Sequence, residues 1–186
     1  MAYVKENIFM DGVSGSISQM TLRVRRGKTV VTAKCGPVVT PPTNQQLVAR
    51  EKFEDATAYA NEVMNDPVKR LMYTAVAKKG QTAHNAAFQD AAKAPKVILI
   101  DTETYRGNEG DIITIAVRDI VRVASVKVHI LSAAGTELEQ GYAAPDKGIA
   151  YWHYTAAAAN EILRGTHILI TATDLPGNVT EAEKVL

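Results

Sequence analysis

The chain has 186 residues, room for one large domain or two small ones, and its 46% hydrophobic content with 6% aromatics fits a globular protein, not a disordered one. Its apolar runs fall well short of the roughly 20 residues that cross a bilayer. The opening MAYVKENIFMDGVSG has neither the apolar stretch nor the cleavage site of a secretory signal, so a cytoplasmic location is expected. The net charge of +1 hides an asymmetry: residues 1–96 hold 14 Lys+Arg against 8 Asp+Glu (+6), and the remainder hold 7 against 12 (−5). Opposite signs on two halves point to surfaces that attract one another within or between chains. The one cysteine, Cys35, cannot close an intramolecular disulfide, and a half-buried place at a strand end is expected for it.

In chain order, the first pattern is MTLRVR, RGK, TVVTAK: two β-rich runs with Gly27 available for a positive φ, hence a hairpin. Leu22 and Val24 alternate with Arg23 and Arg25, which gives the ribbon one apolar and one basic face. Arg23, Arg25, Arg26 and Lys28 form the candidate binding patch. A basic ribbon can enter a major groove and neutralise phosphates, although no aromatic residues interleave to stack bases. PVVTPP, residues 37–42, then reads as an extended connector. GKT at 27–29 lacks the preceding glycine and the following helix of a phosphate-binding loop.

The period changes at Thr43. Thr43-x-x-Gln46 is a capping box, and Ala49, Phe53, Ala56, Ala60 and Val63 make one helical stripe. Asp66-Pro67 opens a second helix with Val68, Leu71, Met72, Ala75 and Val76 as its apolar stripe, and a weaker Ala-rich helix covers residues 82–93. Small residues on these stripes let the helices approach closely in a compact layer.

From Pro95 onward short runs recur at the spacing of a sandwich: VILIDT, DIITIAVRD, SVKVHIL, ELEQGYA, AYWHYTA, THILITATD and NVTEAEKV. Only TAAAANEIL has any helical character. Val126, Val128, Ile130, Trp152 and Tyr154 are expected to face inward, and Lys127, His129 and His153 outward. The ending THILITATDLPGNVTEAEKV resembles the last hairpin of bacterial immunoglobulin-like (Ig-like) domains, with Asp174, Gly177 and Asn178 at the matching positions. That resemblance extends loosely back to Lys96 and implies a fold, not a ligand. The N-terminal hairpin and connector, with QQLVAREKF after them, resemble uncharacterised bacterial proteins.

LIDTETYRGNEGDIITIAV, residues 99–117, resembles the first motif of DnaQ-like 3′–5′ exonucleases. In that family an Asp and a Glu two apart on one strand share two metals, and Asp101 and Glu103 match them. The later motifs, which bring further carboxylates from helices, are not met by the 83 strand-like residues after Glu103. Asp101 and Glu103 therefore read as carboxylates at a hairpin mouth, and the exonuclease is disfavoured. Gly107, Asn108 and Gly110 suit the loop, with Tyr105 packed over the sandwich end. The four histidines lack ligand spacing, so no metal, cofactor or catalytic residue is expected.

The sequence thus predicts an α+β protein. A basic β-hairpin with two or three helices (1–95) precedes a seven-stranded Ig-like β-sandwich (96–186). The expected role is a non-enzymatic structural or protein-interaction module, part of a larger assembly, whose partner is a protein or a second copy. Nucleic-acid binding through the hairpin is the alternative. The end-loop candidates are Tyr105, Asn108, Asp174 and Asn178.

Overall fold

A computed structural model of the chain describes residues 2–3, 10, 12–36, 40–146 and 150–186; residues 37–39 of the expected connector lie outside these. The architecture is α+β, with three helices and three antiparallel sheets. Contacts divide it into two units, Met1–Thr43 and Asn44–Leu186, and the boundary expected at 95/96 falls inside the second.

In the first unit, β1 (Ala2–Tyr3), β2 (Gly15–Ile17), β3 (Met20–Arg25) and β4 (Lys28–Ala33) form one sheet in the order β1-β4-β3-β2. The β3–β4 turn is the two-residue loop Arg26-Gly27, with φ of 53° and 73°. Two positive φ angles give the turn the twist of the strands it joins. Cross-strand pairing puts Ile17, Met20, Leu22, Val24 and Val31 on one face and Arg23, Arg25 and Lys28 on the other. Leu22, Thr29 and Val30 are buried. Cys35 is exposed, not half-buried, because it lies beyond the end of β4.

The second unit begins with α1 (Asn44–Asn65), α2 (Pro67–Val76) and α3 (Ala83–Ala91). Asp66 caps α2 by accepting the N–H groups of Val68 (2.9 Å) and Lys69 (3.2 Å), and Thr82 caps α3 by accepting that of Asn85. Ala60, Val63, Tyr73, Ala86 and Ala87 form the helical core. Of the expected α1 stripe, Ala56, Ala60 and Val63 are buried, whereas Ala49 and Phe53 are exposed. The reason is length: at 1.5 Å per residue, the 10-residue α2 and 9-residue α3 are too short to cover a helix of 22. The α2 stripe is also corrected. Val68 and Leu71 are 77% and 71% exposed, and the helix is turned so that Tyr73 enters the core. An aromatic ring buries more area than Val or Leu, and the Tyr73 hydroxyl finds polar partners there. Among the described residues no helix is long and apolar enough to cross a membrane.

Eight strands follow: β5 (Lys96–Asp101), β6 (Ile112–Arg118), β7 (Val123–Leu131), β8 (Glu137–Tyr142), β9 (Ala144–Pro145), β10 (Tyr151–Thr155), β11 (His167–Asp174) and β12 (Val179–Val185). Each of the seven expected runs contains a strand, and the two-residue β9 is additional. The TAAAANEIL segment forms no helix. The sheets β5-β6-β10-β9 and β12-β11-β7-β8 bury one common core. Ile113, Ile115, Val117, Trp152 and Tyr154 enter it from the first sheet and Val126, Val128, Ile130, Ile168 and Ile170 from the second. Lys127, His129 and His153 alternate with these residues and are only partly covered, as period-two patterning requires.

Candidate functional site

The loop between β5 and β6 is held from below. Tyr105 is buried in the sandwich core, and the Asn160 side-chain amide donates to the Tyr105 hydroxyl (3.4 Å) and to Thr166 Oγ1 (2.9 Å). Burial pushes the Tyr105 hydroxyl pKa up. The Asn160 N–H donates to the Gly107 carbonyl at 2.8 Å, and the Asn160 carbonyl oxygen stands where a Cβ on residue 107 would come within 2.2 Å, so only glycine fits there. Asp111 Oδ2 closes the loop by accepting the N–H groups of Arg106 (2.7 Å) and Asn108 (2.8 Å). Hydrogen bonds from Asn108 first and then Arg106 hold its carboxyl below the usual range.

Above this support lies a cleft of about 460 Å³ lined by Thr104, Gly110, Asp111, Ile112, Thr114 and His153. Pairing in the first sandwich sheet sets Asp101 opposite Thr114, and Thr114 opposite His153, so the three form a row across β5, β6 and β10. His153 Nδ1 is 3.1 Å from Thr114 Oγ1, and its Nε2 is 3.6 Å from Asp146 Oδ2. An imidazole between a hydroxyl and a carboxylate can activate the hydroxyl when both contacts are true hydrogen bonds. Here the carboxylate contact is too long for one. The row therefore offers a polar binding surface and an ion pair when His153 is protonated.

Asp101 ends β5, whereas Glu103 sits in the turn beyond it; the Glu103 N–H donates to Asp101 Oδ1 at 2.9 Å. The two carboxylates are thus not paired along one strand, as the exonuclease motif requires. Of the end-loop candidates, Asn108 is exposed beside the cleft, whereas Asp174 and Asn178 belong to a different corner. Asp174 is 2% exposed and accepts the N–H groups of Gly177 (2.9 Å) and Asn178 (2.6 Å). The Asn178 amide reaches the carbonyls of Asp90 (3.3 Å) and Ala91 (3.1 Å), which ties the last hairpin to α3. In the first unit Arg23, Arg25, Arg26 and Lys28 are all exposed; Arg26 stands in the turn and the other three share one face.

Outward orientation of His153 was legible from the alternation of AYWHYTA. Its meeting with Thr114 and Asp101 was not, since that depends on the order β5-β6-β10.

The sequence matches no described protein family, and no curated protein matches it. Among solved structures, the crystal structure of CopC from Methylosinus trichosporium OB3b is similar to part of the chain. The alignment covers 48% of this chain and 87% of that one, at 13% identity and a TM-score of 0.35.

Proposed function

We propose that the protein is a non-enzymatic assembly module whose N-terminal sheet docks against a second copy of the chain. The observation that carries this reading is the rim of the apolar face of that sheet, where Ile17 (56%), Met20 (45%) and Val24 (46%) are exposed around the buried Leu22. A unit of 43 residues is near the size below which a fold needs help from oligomerisation, metals or disulfides. Charge favours a copy of the same chain as the partner. Residues 1–43 hold six Lys+Arg against two Asp+Glu, a balance of +4, and residues 44–186 hold fifteen against eighteen, a balance of −3.

The sandwich is read as Ig-like. The order β5-β6-β10-β9 facing β12-β11-β7-β8 supports this reading, since it corresponds to an ABED sheet opposite a GFC sheet extended by one strand. In this role the domain presents its open edges and end loops and carries no chemistry.

Sedimentation or light scattering of the full chain tests the assembly. A dimer or larger species is expected at micromolar concentration, with dissociation to monomer in Val24→Asp. A monomer at every concentration and salt level overturns the reading. A second reading, nucleic-acid binding, is favoured by the shared exposed face of Arg23, Arg25 and Lys28. It requires affinity for a labelled duplex that falls steeply with salt and drops in Arg25→Ala while the oligomeric state is unchanged.

A further inference from the structure

Three carboxylates lie near where the helical layer joins the sandwich, Asp90 and Asp174 linked through the Asn178 amide and Asp119 close enough to be felt by Asp90 and to feel Asp174. Asp90 closes the last turn of α3 and is wholly buried; Asp119 follows β6; Asp174 ends β11. Among the described residues no Lys, Arg or His forms an ion pair with any of them. The Tyr73 hydroxyl of α2 donates to Asp90 Oδ2 at 2.6 Å, and the Tyr59 hydroxyl of α1 lies 2.9 Å behind it. Beyond these, Lys69 stands 6.0 Å from the Tyr59 ring but is ion-paired with Glu62. Asp174 uses both oxygens within its own turn. What is left over is Asp90 Oδ1 and both oxygens of Asp119, which are buried without a well-formed hydrogen bond; the backbone N–H of Val121 faces Asp90, and those of Ile120, Val121 and Arg122 face Asp119.

A buried carboxylate with no cation beside it and with donors that satisfy it only in part is costly while charged, and a proton is the smallest species that relieves it. We propose that Asp90 is a proton-linked joint: a proton taken up by its buried carboxyl tightens the seam between helical layer and sandwich, and loss of that proton loosens it. The Asn178 bridge to the Asp90 and Ala91 carbonyls crosses the same seam, so the last hairpin loosens with α3.

The electrostatics agree with the geometry. Burial, the largest cause, raises Asp90 from the ordinary 3.8 to about 6; the hydrogen bonds from Tyr73 and from the Val121 N–H oppose it, and the charges of Asp119 and Asp174 add to it. Asp119 is also raised, again chiefly by burial. A carboxyl whose folded-state pKa is raised stabilises the fold fully below the ordinary value. That stability is lost as the pH rises through about 6.

The test is denaturation of the full chain at pH 7.5 and pH 5.0, with hydrogen exchange read at α3 and residues 174–178 after correction for intrinsic rates. The wild type is expected to gain about tenfold in its folding equilibrium at the lower pH, with slower exchange at those segments. In Asp90→Asn, which keeps an acceptor for Tyr73, that gain is expected to disappear. Carbon-13 titration of the wild-type Asp carboxyls provides a readout independent of any variant, and one carboxyl titrating near pH 6 is expected. All Asp carboxyls titrating below about pH 5 would overturn the proposal. So would stabilisation by calcium at pH 7.5 that Asp90→Asn abolishes, since a cation would then replace the proton.

Discussion

At Gly107 the backbone takes a φ of +86°, and an added Cβ would stand 2.2 Å from the Asn160 carbonyl oxygen. Both the dihedral and the space forbid a side chain. At Gly110 only the dihedral does, since φ is +91° and nothing lies within 4 Å. Gly107→Ala is therefore expected to cost about 3 kcal/mol in urea denaturation and Gly110→Ala about 1 kcal/mol. Equal costs would mean that the Asn160 contact does not hold the loop. The sequence marks both residues as turn formers but cannot distinguish them, because the neighbour of Gly107 is more than fifty positions away. Asp174 carries the same lesson. Its place in a turn was legible from DLPGN, whereas its burial beside Asp90 depends on a helix some eighty residues earlier.

Among the elements, α2 separates what local chemistry dictates from what packing decides. Its start is written in Asp66-Pro67, because a carboxylate that accepts two N–H groups and a proline without one both suit a helix N-terminus. Removing the cap in Asp66→Ala is expected to lower stability by about 1 kcal/mol. The buried face was not legible. Val68, Leu71 and Ala75 make a plausible apolar stripe, but Tyr73 outbids it by filling the space between α1 and α3 and bonding to Asp90. Leu71→Ser, at a position 71% exposed, is accordingly expected to stay within about 0.5 kcal/mol of wild type in the same measurement. A loss of 2 kcal/mol or more would put Leu71 back in a core. The strands were easier to read: in β11 and in β7 from Val126 onward, alternation reports burial directly, since one face meets the opposite sheet and the other does not.

At the scale of the whole molecule, the change from helical to β patterning at Pro95 marks a change of secondary structure, not of compact unit. The last hairpin reaches back to it and beyond: Thr180 Oγ1 donates to the Pro95 carbonyl at 2.6 Å, and Asn178 holds the end of α3. Val121, at the β6–β7 turn, packs against the helical core. Helices fastened by the final strand cannot be separated from it without losing these bonds. No local pattern encodes them, because every partner lies more than eighty positions away. It follows that a fragment of residues 44–186 should unfold in one cooperative transition, with helical and near-ultraviolet signals lost together. A fragment of residues 96–186 should be markedly less stable, since it exposes Val121 and leaves Asp174 and Asn178 without α3. If the first fragment melts in two separate steps, the helices and the sandwich are independent and the seam couples nothing. If it melts in one step, proton uptake at Asp90 acts on the whole of the larger unit.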